Sequence, residues 1–275
     1  MPKNKPIGVF DSGLGGLTSV KELLKILPNE DIIYFGDTAR MPYGVHTQET
    51  LIEYTQNDIA FLLGQNVKAL LAACGTISAN YPPALSGELP VPYTGIIEPT
   101  VQAALAATKT GNIGLVATQA TVNSGAFDRA FAAAAPEAHL TSNGCPELVL
   151  LVEGGHITPG DEEVRRAAHN YLAPILEAGV DTLVLACTHF PIIEWAFREI
   201  MGPEVPIINS GAQAALFIKQ ALAQSGMLNS RTQKGTCRFF VSHKPENFSA
   251  SAKLFLGTDE ELDVTKIDLP TKEHA

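Results

Sequence analysis

Two stretches constrain this chain more than any others. Residues 69–82 read Ala-Leu-Leu-Ala-Ala-Cys-Gly-Thr-Ile-Ser-Ala-Asn-Tyr-Pro, and residues 183–191 read Leu-Val-Leu-Ala-Cys-Thr-His-Phe-Pro. In each, an unbroken apolar run stops at Ala-Cys and passes into a helix-like pattern. An apolar run without alternation is a strand buried on both faces, which belongs to a parallel sheet covered by helices. A thiol at the carboxyl end of such a strand faces the crevice where open α/β sheets bind ligands.

The remainder fits the same scheme. Residues 6–10 form a short strand ending in Asp11-Ser12-Gly13-Leu14-Gly15-Gly16, and an amphipathic helix follows over 17–27. A strand over 31–35 leads to the loop 39–45 and a long helix over 48–63, and 91–97 reads as a further strand. Ile113–Thr118 then resembles Ile7–Ser12 at an offset of 106, while Cys187 follows Cys74 at an offset of 113. Two matches in the same order indicate two related halves. The expected architecture is α/β: two similar parallel-sheet domains related by pseudo-symmetry, with the active site in the cleft between them. The first would hold residues 1–97 and 208–275, the second 98–207, and residues 269–275 read as a frayed tail.

Composition removes several function classes. A net charge of −10 over 275 residues, without a Lys/Arg cluster, argues against nucleic acid. No apolar run is of signal-peptide type or long enough for a membrane span, so a cytoplasmic location is the expectation. The four cysteines show no zinc spacing, which leaves no metal expected and each thiol to be read separately. No Lys occupies a strand-end block where a pyridoxal Schiff base would form, so no cofactor is expected either. The loop Gly13–Thr18 is close to a dinucleotide fingerprint, but Thr18 stands where the third glycine belongs and Asp11 would repel a pyrophosphate. Its glycines are better suited to turning backbone N–H groups toward a small ligand.

Cys74 and Cys187 each precede a helix start, where the dipole and free N–H groups are expected to lower a thiol pKa. A single such cysteine would be read as a small buried hydrophobe. Two in matched positions suit a reaction in which one thiol removes a proton from carbon and the other adds one on the opposite face. Asp11 either caps the following helix or serves the ligand, and capping is the preferred reading for Ser12. Tyr43 either closes over a ligand or plugs its turn, and His189 either supports the thiolate or fills space. Cys145 and Cys237 have no matched partner and read as structural.

Ile7–Thr18, Tyr34–Gly44, Ala73-Cys74-Gly75-Thr76 and Leu185–Pro191 together resemble the signature blocks of bacterial glutamate racemases. Thr118, Thr121, Ser124, Cys145-Pro146 and Glu153 fit weaker blocks between them, and the resemblance runs from about residue 6 to 257. It implies cofactor-independent interconversion of L- and D-glutamate, supplying D-glutamate for peptidoglycan, and a homodimer. By resemblance Cys74 and Cys187 are the two acid/base residues, assisted by Asp11 and His189, with Glu153 orienting His189. Ser12, Tyr43, Gly44, Thr76, Thr118, Thr121 and Thr188 would hold the substrate. One departure stands out: the family usually has Cys-Asn-Thr, and position 75 is Gly, which leaves only backbone N–H groups there. Two other readings stay open, a racemase for another amino acid such as aspartate and a catalytically weak amino-acid-binding or regulatory protein. The related arylmalonate decarboxylases need only one of the two cysteines.

Overall fold

The computed structural model describes residues 3–269; most of the stretch read as a frayed tail lies outside them. The chain runs β1 (Ile7–Asp11), α1 (Leu17–Ile26), β2 (Ile32–Gly36), α2 (Gln48–Gly64), β3 (Ala69–Ala72), α3 (Gly75–Asn80), α4 (Pro83–Gly87) and β4 (Tyr93–Thr94). It continues through α5 (Ile97–Ala107), β5 (Asn112–Ala117), α6 (Gln119–Asn123), α7 (Ala126–Ala134), β6 (His139–Gly144), α8 (Pro146–Glu153), α9 (Glu162–Glu177) and β7 (Thr182–Leu185). Last come α10 (Glu194–Met201), β8 (Ile207–Asn209), α11 (Ser210–Gln224), β9 (Cys237–Val241), α12 (Pro245–Leu256) and β10 (Val264–Lys266).

The strands form two sheets, ordered β10-β9-β2-β1-β3-β4 and β6-β5-β7-β8. Every pairing is parallel. The core of the first sheet, β2-β1-β3-β4, and the whole of the second have the same order: second strand, first, third, fourth. Every residue of β1, β2, β3 and β7 is buried, as strands covered on both faces must be. In this order the topological switch lies between the first and third strands. Ser12 follows the first strand of one sheet and Cys74 follows its third. Thr118 and Cys187 occupy the matching places in the other. The two stretches that opened the sequence reading are therefore equivalent strands of two similar sheets, and the two switch points face one common cleft.

Local chemistry accounts for the helix ends that frame this cleft. Thr118 caps α6 by accepting from Thr121 N at 3.3 Å, and Asp161 caps α9 by accepting from the N–H groups of Glu163 and Val164. Asn209 does the same for α11 through Ala212 N. Two expectations need correction. Only Tyr93 and Thr94 of the stretch 91–97 pair as a strand, because Ile97 already begins α5. The boundary drawn at 207/208 falls inside β8, which pairs with β7 through Asn209, so the chain leaves the smaller sheet at Asn209.

Candidate active site

The ends of β1, β3, β5 and β7 meet around a cavity of about 80 Å³. Cys74 and Cys187 both line it, together with Ser12, Tyr43, Gly44, Gly75, Thr76, Thr118, Glu153, Thr188 and His189. Asp11 and Thr121 do not; they stand behind the lining. A larger open groove of about 740 Å³, between α3–α4 and α5–α7, has neither a thiol nor an imidazole in its wall. Chemistry, not size, singles out the smaller cavity, which suits a small polar molecule and not a dinucleotide.

On the first side Cys74 is 6% exposed, and its Sγ is 3.5 Å from Ser12 Oγ. Burial, reinforced by the nearby charge of Asp11, pushes the thiol up to about 12. This corrects the expectation of a lowered thiol pKa: removing the thiolate from water outweighs the short helix α3 that follows. Ser12 is also not a cap, since Gly16 is the N-cap of α1 and no side chain caps the helix. Its hydroxyl is instead placed to donate to a thiolate on Cys74. Asp11 accepts from Gly13 N through Oδ2 at 2.9 Å, while Oδ1 is buried without a hydrogen-bond partner. Burial raises its pKa, partly offset by the charge of His189. The Gly13 N–H, expected to face a ligand, is thus taken by Asp11.

On the second side His189 Nδ1 stands 3.7 Å from Cys187 Sγ, and His189 Nε2 stands 3.1 Å from Glu153 Oε1. Burial opposes a charged imidazole here, but the hydrogen bonds and charges of Cys187 and Glu153 overcome it and carry His189 up to about 10. Phe255 of α12 packs edge-on against the ring, with centroids 5.8 Å apart. The two sides are therefore electrostatically unequal: a thiol held neutral faces a thiol paired with an imidazolium.

Direct contacts close the cleft. Thr18 Oγ1 donates to Thr188 O at 3.0 Å, and Thr76 Oγ1 lies 3.2 Å from Thr118 Oγ1, which lies 2.9 Å from Thr121 Oγ1. Tyr43 is buried, and its hydroxyl is committed to Asp37 Oδ2 at 2.6 Å and Asp58 Oδ2 at 3.2 Å. Two carboxylates meet one phenol there, and burial raises the Asp58 pKa well above the ordinary range. Tyr43 thus anchors its loop through a hydroxyl already committed to two carboxyl groups. Sequence reading missed Leu14, Met41, Val149 and Ala186 in the cavity wall, and Thr18 across the cleft. These are apolar or helix residues whose position depends on how the halves dock, so nothing local marks them. Cys145 is buried outside the wall, and Cys237 lies in β9. Among the described residues no group of three His, Cys, Asp or Glu is gathered as a metal site, and no helix is long and apolar enough to cross a membrane.

Known proteins share this fold. The chain is 41% identical to a glutamate racemase of Geobacter metallireducens over 92% of its own length and 93% of that protein. Its structure is similar to that of a glutamate racemase isoform from Bacillus anthracis, with a TM-score of 0.92, 33% identity, and coverage of 98% of this chain and 100% of that one. It is also similar to the Francisella tularensis glutamate racemase in complex with D-glutamate, with a TM-score of 0.88, 36% identity, and coverage of 97% and 98%. Residues 16–218 match the family model for Asp/Glu/Hydantoin racemase. With these matches spanning both halves and both cysteine turns, the chain belongs to the Asp/Glu/Hydantoin racemase family.

Proposed function

We propose that this protein is a glutamate racemase that inverts the α-carbon by proton transfer between Cys74 and Cys187. The observation that carries the reading is the pair of thiols at equivalent strand ends of two sheets, lining one small cavity. The similarity to glutamate racemases supplies the substrate. Supply of D-glutamate for peptidoglycan synthesis and a cytoplasmic homodimer accompany the reading from the resemblance.

In one direction the Cys187 thiolate, paired with the His189 imidazolium, takes the α-proton. The Cys74 thiol, held neutral by burial, gives its proton to the opposite face. In the other direction Cys74 must first ionise. Raising a thiol from an ordinary 9 to about 12 disfavours the thiolate by roughly 4 kcal/mol. The Ser12 hydroxyl, which can donate to Sγ, offsets part of this. Glutamate's α-proton is very weakly acidic, so the carbanion must be met by donors already in place. Gly75, Thr76, Thr118 and Thr188 line the cavity, and their N–H and hydroxyl groups are the donors this reading assigns to that task. Exclusion of water by the closed halves strengthens each of these interactions.

The test is racemisation of L-glutamate, L-aspartate and larger amino acids followed by circular dichroism, with Cys74→Ser and Cys187→Ser in parallel. Glutamate turnover by the native chain, lost in both variants, is expected. In deuterated water each variant should lose α-exchange preferentially from one enantiomer. A single variant racemising near the native rate removes the two-thiol mechanism, and preferred turnover of another amino acid removes glutamate.

A further inference from the structure

The turn that carries Cys187 belongs to one half, and two glycines of the other half lie directly against it. A Cβ placed on Gly75 would sit well inside van der Waals contact of the Ala186 carbonyl oxygen, with Thr121 Oγ1 at 3.4 Å and Ile96 Cδ1 at 3.5 Å. A Cβ placed on Gly15 would overlap Thr188 Oγ1 and come within 2.9 Å of the His189 ring. Neither glycine has a positive φ, so backbone conformation does not require the residue type. Space does.

The two obstacles differ in kind. The Thr188 hydroxyl can rotate away, whereas the Ala186 oxygen is main chain. Ala186 is itself fixed, since its N–H donates to Val116 O at 2.9 Å. Ala186 immediately precedes Cys187, and Gly75 immediately follows Cys74. The closest approach of the halves at this point is therefore between the direct chain neighbours of the two thiols. At the approach this chain adopts, a side chain at 75 has no room unless the cysteine turns move apart, because the group it would meet is main chain held to its sheet.

We propose that Gly75, with Gly15 on the opposite flank, forms a seat without side chains that sets the distance between Cys74 and Cys187 in the closed cleft, making Gly75 a positioning residue for two-sided proton transfer. The inference rests on the two-thiol racemase reading. It assigns the departure at position 75 a geometric role: tight approach takes the place of a side-chain contact. Misplacing a reacting group by about 1 Å can cost about a hundredfold in rate. Inversion needs both thiols at the right separation, whereas exchange with retention needs only one. The two processes should therefore respond differently.

The experiment compares the native chain, Gly75→Ala, Gly15→Ala and Gly64→Ala in deuterated water with L-glutamate. Deuterium in recovered L- and D-glutamate is read by NMR, and folding is checked by thermal denaturation. Gly64 has nothing within 4 Å of an added Cβ and sets the baseline. Gly75→Ala is expected to lower racemisation by about tenfold to a hundredfold while retention exchange falls less, so that their ratio rises severalfold. Gly15→Ala should show the same signature in milder form, and it carries the test should Gly75→Ala fail to fold. A Gly75→Ala chain that racemises within twofold of native overturns the proposal, and so does a parallel loss of inversion and exchange. A native chain with no turnover refutes the racemase reading itself, and the seat with it.

Discussion

Replacing Glu153 with Gln preserves size and a hydrogen-bonding group but removes the charge that faces His189. Burial alone would keep the imidazole neutral; Cys187 and Glu153 together hold it charged up to about 10. Relative to an ordinary 6.5 this is roughly 5 kcal/mol in favour of the imidazolium. Glu153 Oε1 makes the shorter contact, 3.1 Å, but its side chain is 30% exposed and partly screened, whereas the Cys187 contact is buried. Assigning Glu153 somewhat under half gives ~2 kcal/mol. Two consequences follow for Glu153→Gln. kcat/KM should fall about thirtyfold, and by the same factor in both directions, because the enantiomers have equal free energy in water. The alkaline limb of the pH–rate profile, where His189 loses its proton, should move to lower pH by about 1.5. The assay is circular dichroism of L- and D-glutamate racemisation from pH 6 to 10.5. An unmoved limb with kcat/KM within twofold of native would refute the assignment of His189 as a charged partner of Cys187. An unequal loss in the two directions would show that the measurement is not reporting racemisation.

Two further outcomes concern stability. Lys68, fully buried, bonds Glu30, Lys3 O and Met227 O, tying three chain segments at the end of the first sheet remote from the thiols. Lys68→Met should cost about 3–5 kcal/mol in urea denaturation, and adding Glu30→Leu should recover part of it; no loss in the single variant would mean the pair is dispensable. His189 and Cys74 both have folded pKa values above their unfolded ones, so each contributes stability that is complete at low pH and fades as pH rises, from about 6.5 to 10 for His189 and from about 9 to 12 for Cys74. Thermal unfolding should therefore weaken steadily above neutral pH. His189→Asn should flatten the slope between pH 7 and 9 by up to about 1.4 kcal/mol per pH unit, and an unchanged slope would contradict the sign.

Much of the site was legible because it lies on strand ends. A short run of apolar residues, such as Ala69–Ala73 or Leu183–Ala186, announces both its burial and the point where it stops. The first polar residue beyond it must lie at the sheet edge, which placed Cys74, Cys187, Ser12 and Thr118 without knowledge of the fold. The misreadings arose where a partner distant in sequence outcompeted a local tendency. Ser12 can cap locally but instead meets Cys74, 62 residues away. For Tyr43, which could close over a ligand or plug its turn, Asp37 and Asp58 draw the hydroxyl inward and decide for the plug. The helix start after Cys74 favours a thiolate, but burial of the sulfur, with Asp11 brought close at the end of β1, outweighs it.

The sequence by itself determined the α/β class, the two similar halves and the pairing of the cysteine turns. Each of these follows from short-range patterns, apolar runs and their polar ends, that survive without tertiary contacts. Only the tertiary structure decided what the halves do to each other. Docking packs Phe255 of α12 against His189 and brings Thr76 within 3.2 Å of Thr118. Docking also turns Gly75 from a missing side chain into the point where the Ala186 carbonyl comes to rest. Electrostatic environment and closest approach depend on groups brought together from across the chain, and no local pattern carries that information.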